Sequence, residues 1–356
     1  MKIGILTQPL HANYGGVLQN YALQTVLKHM GHEVWTIHYN KYTWFYWFDN
    51  AWRILAHKAL GHKVKFSRTP KGRNAIERPL RQFILKNISL TVPRTRYVEY
   101  QIVKKYAFDA IVVGSDQVWR PRYNSHIDRM FLSFCDDMQI KRIAYAASFG
   151  TDEWEFTAEQ TNVCKSLAQQ FDSISVREAS GVLLCREHLN VDATHVLDPT
   201  LLLSVEDYTK LCSDIPRREP FVFAYTLDQS EEKVNEIKSF AKRKGLPFLI
   251  QSAGPNIMKN DSIELWLSHF RDAAYVITDS FHGTVFSILF GKEFFVFGNK
   301  GRGNSRFDSL LGMFGVQNRV IEGTIPCDTD ICWEIIQKKL AEEYKKSMFW
   351  LQEALK

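Results

Sequence analysis

Short apolar runs alternate along most of the chain with longer stretches in which apolar residues recur at helical spacing. The run from Lys2 to Thr7 favours a buried strand, and Gly15-Gly16 precedes a stretch of helical periodicity that ends at Gly31. Residues 33–39 are again rich in β-branched and aromatic side chains. This order predicts a βαβ unit whose two strands lie parallel in one sheet.

The same alternation continues and then restarts after the polar residues 213–220, which we expect to form a hinge. Further strands are predicted at 107–115, 142–150, 172–178, 194–200, 221–227, 246–252, 274–280 and 293–298. Helices are predicted at 230–244, 263–270 and 282–290. The pattern predicts two Rossmann-like α/β domains, at 1–212 and 213–330, with mostly parallel sheets and a cleft between them. A helical segment is expected at 331–356.

Residues 42–106 do not follow the alternation and are predicted to be an insertion in the N-terminal domain. Seven of the eleven residues from Tyr42 to Trp52 are aromatic. Fourteen Lys or Arg and two acids lie between Arg53 and Tyr106, a local charge of +12 in a chain whose net charge is +6. Two interpretations stay open. The insertion packs over the sheet, or it binds an anionic membrane surface, where aromatic and basic side chains are both favoured.

The cysteines and the apolar runs indicate the compartment in which the chain works. Six cysteines without a CxxC pair are too few for a disulfide framework and show no zinc-ligand pattern. The first residues lead into a polar, Gly-containing stretch instead of an apolar signal core, and no run approaches the ~18 apolar residues of a membrane span. We expect a cytoplasmic protein without a bound metal, peripheral at the inner membrane face if the insertion binds lipid.

Four of the predicted strands lead into segments rich in side chains that can bind a ligand or transfer a proton. Ligands of open α/β sheets bind beyond the carboxyl ends of the strands, so these positions are the candidates for a site. They are His11-Ala12-Asn13-Tyr14-Gly15-Gly16, Gly114-Ser115-Asp116-Gln117, Ser175-Val176-Arg177-Glu178 and Asp279-Ser280-Phe281-His282-Gly283.

The last of these motifs carries the most chemistry. Ser280 can cap the helix that begins near His282, which leaves backbone N–H groups where an anion would bind, and the histidine can act there as acid or base. The alternative is an ordinary cap beside a structural histidine. Asp116 is a candidate base or hydroxyl-orienting carboxylate, although aspartate after a strand is as often a turn residue.

A basic loop follows the strand predicted at 293–298. Its cations and polar donors suit a phosphate or carboxylate, whereas the alternative is a solvated loop. Its candidate residues are Lys300, Arg302, Asn304, Ser305 and Arg306. Gly301 and Gly303 are followed by Arg306 where a dinucleotide motif has its third glycine, so that motif is not supported.

Taken in order, these motifs resemble the polysaccharide pyruvyl transferase family. The resemblance runs through NYGGVLQNYALQTVLKHMGHEV, DAIVVGSDQVW, RIAYAASFG, SVREASG, LDPTLLL and YVITDSFHGTVFSILFGKEFFVF. It implies two Rossmann-like domains in a GT-B-like arrangement. It also implies transfer of pyruvate from phosphoenolpyruvate onto two hydroxyls of one sugar, with release of phosphate and no further cofactor.

Within this resemblance the candidate residues divide into three roles. His282 would transfer protons, and Asp116 would act as base or orient a hydroxyl. Phosphoenolpyruvate would be bound by Arg177, Ser280, His282, Gly283, Lys300, Arg302, Asn304, Ser305 and Arg306. The acceptor would be bound by Asn13, Tyr14, Gly15, Ser115, Asp116 and Gln117.

One departure from the family affects the anion site. Some members carry Arg-Leu-His-Gly where this chain has Ser280-Phe281-His282-Gly283. The anion contact must therefore come from elsewhere, and Arg177 and the loop from Lys300 to Arg306 are the candidates. The acceptor sugar is expected in a polysaccharide or on a polyprenyl diphosphate carrier, which would suit the basic insertion.

Two other functions stay open. A GT-B glycosyltransferase that uses a nucleotide sugar would share the fold and the anion-binding loops, and would bind a nucleoside diphosphate. A non-catalytic carbohydrate-binding protein would not need His282 for binding. Nucleic acid is not an expected partner, because no recognition motif accompanies the basic patch.

The membrane interpretation predicts that the chain co-sediments with vesicles of anionic phospholipid. Each basic residue near such a surface contributes about 1 kcal/mol, so reversing Lys58, Lys63 and Lys65 to Glu should weaken binding by at least about 100-fold. Neutral phosphatidylcholine vesicles are the control. Equal binding of the variant and the parent chain would contradict the interpretation.

Overall fold

Two parallel β-sheets organise the chain, and each changes strand order at an internal switch point. The computed structural model describes residues 1–38, 52, 70–92, 99–252, 261–298, 305–327 and 330–356. Most of the predicted insertion, with Trp44, Trp47 and the basic residues up to position 69, lies outside the described residues. The exposed Trp52 is described.

Sheet one has six strands in the order β2-β1-β3-β4-β5-β6. They are β1 Lys2–Leu6, β2 Glu33–Thr36, β3 Ala110–Val113, β4 Lys141–Ala147, β5 Ser173–Val176 and β6 Thr194–His195. Sheet two has five strands in the order β11-β10-β9-β7-β8. They are β7 Val222–Thr226, β8 Phe248–Ser252, β9 Tyr275–Thr278, β10 Glu293–Phe297 and β11 Val320–Ile321. Every pairing between the described strands is parallel.

Helices connect the strands, as parallel pairing requires. In the first half they are α1 Tyr14–His29, α2 Pro70–Asn87, α3 Glu99–Tyr106, α4 Ala158–Ala168, α5 Ala179–Leu184 and α6 Val205–Leu211. In the second half they are α7 Glu231–Lys244, α8 Ile263–Asp272, α9 Phe281–Leu289, α10 Ser305–Phe314 and α11 Trp333–Ala354. The predicted pair of parallel α/β domains is confirmed. None of the helices in the described ranges is both long and apolar enough to cross a membrane.

The main differences from the sequence prediction lie at strand ends. The run 194–200 is predicted as one strand because Val196 and Leu197 extend its strand-like pattern, but pairing with β5 stops at His195. Asp198 instead caps a 3₁₀ turn, Pro199–Leu202, by accepting a hydrogen bond from the backbone N–H of Thr200. The segment after position 330 forms one long helix, α11.

Buried polar groups fix α1 on sheet one. Asn20 and Gln24 are buried in the middle of α1, and both donate to Oγ1 of Thr36 on β2, at 2.8 and 3.1 Å. Gln24 also exchanges two hydrogen bonds with the backbone of Ser89. Because each buried amide finds partners, α1 can be covered on several sides and still be stable.

Contacts from both ends of the chain join the domains. Tyr14, the first residue of α1, stacks on Trp266 of α8 with ring centroids 5.1 Å apart. The helix α11 returns from sheet two to sheet one, where Oγ of Ser347 accepts from the backbone N–H of Leu197 at 3.0 Å. Trp350 packs against Tyr145 of β4. The carboxyl edges of the two sheets are thereby held close to one another.

The buried His269 of α8 should make stability depend on pH. It lies against Phe223, its Nδ1 is 3.3 Å from Oε1 of Gln251, and burial lowers its pKa from 6.5 to about 4. The unfolded chain therefore binds more protons than the folded chain between these values. The free energy of unfolding should fall as the pH is lowered from about 6.5 to about 4, by up to about 3 kcal/mol.

Urea denaturation across this pH range, compared with a His269→Gln variant, measures the effect. The variant lacks the titrating group, so its stability should lose part of the pH slope. Equal slopes for both chains would show that His269 does not titrate on unfolding.

Candidate functional site

The predicted site residues follow strands at one edge of each sheet, and the two edges meet. The strand order changes direction between β1 and β3 in sheet one, and between β7 and β9 in sheet two. Ligands of open α/β sheets bind at such switch points. Asp116 follows β3, His282 follows β9, and Gly15 of α1 touches His282. The structure therefore brings candidate residues of both domains together.

His282 lies in the first turn of α9, where it is 7% exposed. Ser280 caps this helix as predicted, because its Oγ accepts from the backbone N–H of Gly283 at 3.3 Å. A Cβ at Gly283 would lie 2.3 Å from Oγ1 of Thr278, so a glycine is needed for the helix to pack against β9. Ser280 and Gly283 thus place the histidine.

The imidazole of His282 lies directly against the backbone of Gly15. A Cβ at Gly15 would be 2.0 Å from Nδ1 of His282, far inside van der Waals contact. The sequence interpretation placed a ligand beside this glycine, whereas the structure places a side chain of the other domain there. The other ring nitrogen, Nε2, lies 3.7 Å from Oδ2 of Asp198.

A buried guanidinium joins the carboxyl ends of β3, β4, β5 and the turn after β6. The side chain of Arg177 is 1% exposed. It donates to Oδ2 of Asp198 at 2.8 Å, Oε1 of Glu178 at 3.2 Å, Oγ of Ser148 at 3.2 Å and Oγ of Ser115 at 3.4 Å. Asp116 lies 3.8 Å from it. We call Arg177, Ser115, Asp116, Ser148, Glu178 and Asp198 the Arg177 cluster.

The charges of this cluster stabilise one another. Burial opposes the charge on Arg177, but Glu178, Asp198 and Asp116 outweigh it and raise the pKa of the guanidinium above its ordinary value. Arg177 was predicted to bind the donor anion. Its donors are directed at protein groups, so the geometry favours a role in holding the three carboxylates.

Asp198, like Ser148 of the same cluster, is a member of the site that sequence reasoning missed. Its carboxylate accepts from Arg177, from Ser115 at 3.0 Å, and from the backbone and hydroxyl of Thr200 at 3.0 and 2.6 Å. Burial would raise its pKa, but His282 and Arg177 outweigh burial and hold the pKa well below its ordinary value. Ligand-binding residues tend to follow strands, so a prediction that ended β6 at His195 would also have selected Asp198.

Asp116, the predicted base, has an unusual backbone conformation. Its φ of +72° lies in the left-handed region, which is costly for a residue with a side chain. Its backbone carbonyl accepts from the N–H groups of Val118 and Ser148, so neighbouring strand ends hold this conformation. The carboxylate is near Gly16 of α1, where a Cβ would be 3.4 Å from Oδ2. Asp116 therefore faces the start of α1, beside Gly15 and His282.

Arg306 brings a second buried cation to the site. It lies in the first turn of α10, and it is the described part of the predicted basic loop together with Ser305. Burial and then the nearby Arg177 lower its pKa from 12.5 to about 10, while Glu178 and Asp116 act in the opposite direction. Contact between α10 and α5 is direct, because the backbone N–H of Ala179 donates to Oγ of Ser309 at 3.0 Å. Lys300, Arg302 and Asn304 lie outside the described residues.

The residues at the start of α1 divide between two roles. Asn13 is exposed, and its side chain makes no capping hydrogen bond, so it leaves the N-terminus of α1 open. Tyr14 was predicted to bind the acceptor, but it is buried in the aromatic contact with Trp266. Its hydroxyl donates to the carbonyl of Asp261 and accepts from Gln251, and burial raises its pKa. The structure gives Tyr14 a packing role.

The remaining predicted acceptor residues also make protein contacts. Ser115 is fully buried in the Arg177 cluster. Gln117 accepts through Oε1 from Nη1 of Arg120 at 2.9 Å and packs against Gly150, whose φ is +72°. Within the described ranges, no group of three or more His, Cys, Asp or Glu side chains is placed to hold a metal ion.

Comparisons with known proteins agree with this architecture. The family model for "Polysaccharide pyruvyl transferase" matches residues 13–301. No curated protein sequence matches the chain significantly. The structure of UDP-GlcNAc 2-epimerase from Neisseria meningitidis bound to UDP-GlcNAc is similar, with a TM-score of 0.51 and 10% identity, over 99% of this chain and 94% of that chain. The UDP-N-acetylglucosamine 2-epimerase from Rickettsia bellii has a TM-score of 0.49 and 7% identity, and the match covers 100% of this chain and 95% of that chain. At 10% identity the similarity to the Neisseria meningitidis structure concerns the fold alone, and on that fold the predicted GT-B-like arrangement is confirmed.

The contact between Gly15 and His282 predicts that adding one methyl group at Gly15 disturbs the imidazole of His282. In Gly15→Ala the new Cβ must displace the imidazole, because 2.0 Å cannot be accommodated. We expect the ring signals of His282 to change in NMR spectra while the chain stays folded. Gly312→Ala is the matched control, since its Cβ would meet Gln317 at an ordinary 3.7 Å. Unchanged His282 signals in Gly15→Ala would show that the contact is absent in solution.

Proposed function

The chain belongs to the polysaccharide pyruvyl transferase family, and we propose that it transfers pyruvate from phosphoenolpyruvate to two hydroxyls of a sugar, with release of phosphate. The observation that carries this proposal is the meeting of His282, from one domain, with the Arg177 cluster of the other. The reaction needs an acid for one carbon and a base for a hydroxyl. His282 lies against Gly15 and Asp116 lies near Gly16 at the start of α1, and these two groups fit the needs of the reaction.

The donor is an anion, and two features of the site favour one. The open N-terminus of α1 presents backbone N–H groups at Gly15 and Gly16, where the helix dipole is positive. Arg306 adds a buried cation beside Asp116 and Arg177. We assign the phosphate and carboxylate of the donor to these groups and to Lys300, Arg302 and Asn304 of the adjoining loop. Arg177 would act indirectly, by holding the carboxylates in place.

The chemistry assigns one proton to each group. His282 gives a proton to the methylene carbon of phosphoenolpyruvate, and the central carbon becomes electrophilic. The first sugar hydroxyl forms a bond to that carbon while its proton passes to Asp116. The bond from the central carbon to the phosphate oxygen then breaks, and the electron pair leaves with phosphate, which takes the proton from Asp116. The second hydroxyl closes the ketal and returns a proton to His282.

The acceptor is a sugar, and polar groups near the start of α1 suit its hydroxyls. Asn13 is exposed at the start of α1, and Asp116 and Gln117 lie on the adjoining strand end. These groups suit sugar hydroxyls. We assign the acceptor to a polysaccharide or a lipid-linked oligosaccharide precursor, on the cytoplasmic side of a membrane to which segment 42–106 would bind.

Release of phosphate from phosphoenolpyruvate tests the proposal. The purified chain should release phosphate only when a suitable free or lipid-linked glycan is present, and His282→Gln should lower the rate at least about 100-fold. His29→Gln is the control, since His29 is exposed at the far end of α1.

Two results would contradict the proposal. One is release that does not depend on His282. The other is a lack of release with every glycan tested, together with binding of a nucleoside diphosphate, which would favour a nucleotide-sugar glycosyltransferase.

A further inference from the structure

The carboxylate of Asp198 lies between the two groups that the site depends on. Asp198 is 2% exposed, and its Oδ2 is 2.8 Å from Nη1 of Arg177 and 3.7 Å from Nε2 of His282. Among the described residues of the N-terminal domain, Asp198 is one whose charged group lies within 4 Å of the ring of His282. Its other oxygen, Oδ1, is held by the backbone and hydroxyl of Thr200. The carboxylate therefore cannot turn away without losing these hydrogen bonds.

The two ring nitrogens of His282 have different surroundings. Nε2 is buried, makes no hydrogen bond to another described residue, and faces Asp198 across 3.7 Å. Nδ1 lies against Gly15, at the open N-terminus of α1. A group that binds to this helix end would contact Nδ1. The other nitrogen, Nε2, would still face the carboxylate of Asp198.

Charged side chains of both signs surround the ring. Asp198 faces it from the turn after β6, and Asp116 lies beyond Gly16 at the end of β3. Glu178 at the end of β5 is the third carboxylate of the cluster, and Arg177 and Arg306 are the two cations. Three carboxylates and two guanidinium groups leave one negative charge on the cluster side of the ring. An opposite charge within about 4–6 Å favours the charged form of a group.

We propose that Asp198 is a positioning residue that holds the ring of His282 with Nε2 toward the carboxylate, so that Nδ1 carries the proton delivered at the start of α1. The role deepens the proposed function and rests on it for the identity of the substrate. After the proton leaves Nδ1, the ring remains as the Nε2–H tautomer, which Asp198 stabilises. Because Asp198 and His282 belong to different domains, the pair exists only when the domains are arranged as here.

NMR of the whole chain with ¹⁵N-labelled histidine tests the proposal without any substrate. In the parent chain the neutral ring of His282 should be the Nε2–H tautomer. In Asp198→Asn the midpoint of its titration should move to lower pH by about 1 to 3 pH units. Glu178→Gln is the matched control, because it removes the same charge from the same cluster at a residue that does not face the ring. Its shift should be less than about half as large.

The outcomes separate this proposal from the proposed function. An Nδ1–H tautomer in the parent chain would overturn the positioning role even if Asp198→Asn does not fold. Equal shifts in the two variants would also overturn it, since the effect would then be general charge. With glycan and phosphoenolpyruvate, the alkaline limb of the kcat/KM profile should move with the NMR midpoint. The predicted tautomer and shift without any phosphate release would support Asp198 and contradict pyruvyl transfer.

Discussion

The buried charge of Arg177 is the interaction on which the rest of the site depends. A guanidinium that is 1% exposed is stable only if carboxylates and hydroxyls surround it, and here they come from four separate strand ends. Each of those loops is thereby fixed relative to the others. Breaking such a buried pair usually costs about 3–5 kcal/mol, because the remaining charges lose their partner. The same arrangement that stabilises the edge of sheet one also sets the electrostatic surroundings of His282.

The site is complete only where two domains meet. Sheet one supplies the carboxylates, whereas sheet two supplies His282 and, through α10, Arg306. Gly15 makes the meeting possible, because any side chain there would occupy the place of the imidazole. The aromatic contact between Tyr14 and Trp266, one residue away along α1, holds the two domains together at the same point. The start of α1 thus contributes both to the contact between the domains and to the surroundings of His282.

The repeating pattern of strands and helices was predictable, because apolar periodicity follows directly from burial in a parallel sheet. So was the cap at Ser280, since serine before a helix has a local reason to be there. Asp198 was not, because the apolar residues before it hid the end of β6. The role of Tyr14 was also hidden, because its partner Trp266 lies far along the sequence and no local pattern connects them. Contacts between domains are the part of a fold that periodicity does not encode.

The departure at Ser280 shows how the charge of the site is redistributed. Some family members have an arginine at this position of the motif, whereas here the hydroxyl of Ser280 caps α9 and cannot neutralise an anion. Burial and then the charge of the nearby Arg177 lower the pKa of Arg306 to about 10. It remains a cation at neutral pH. In the proposed function, an anion bound between the start of α1 and α10 would offset the repulsion between the two guanidinium groups. In the proposed function, Arg306 of α10 would supply the cation that is absent from the α9 motif.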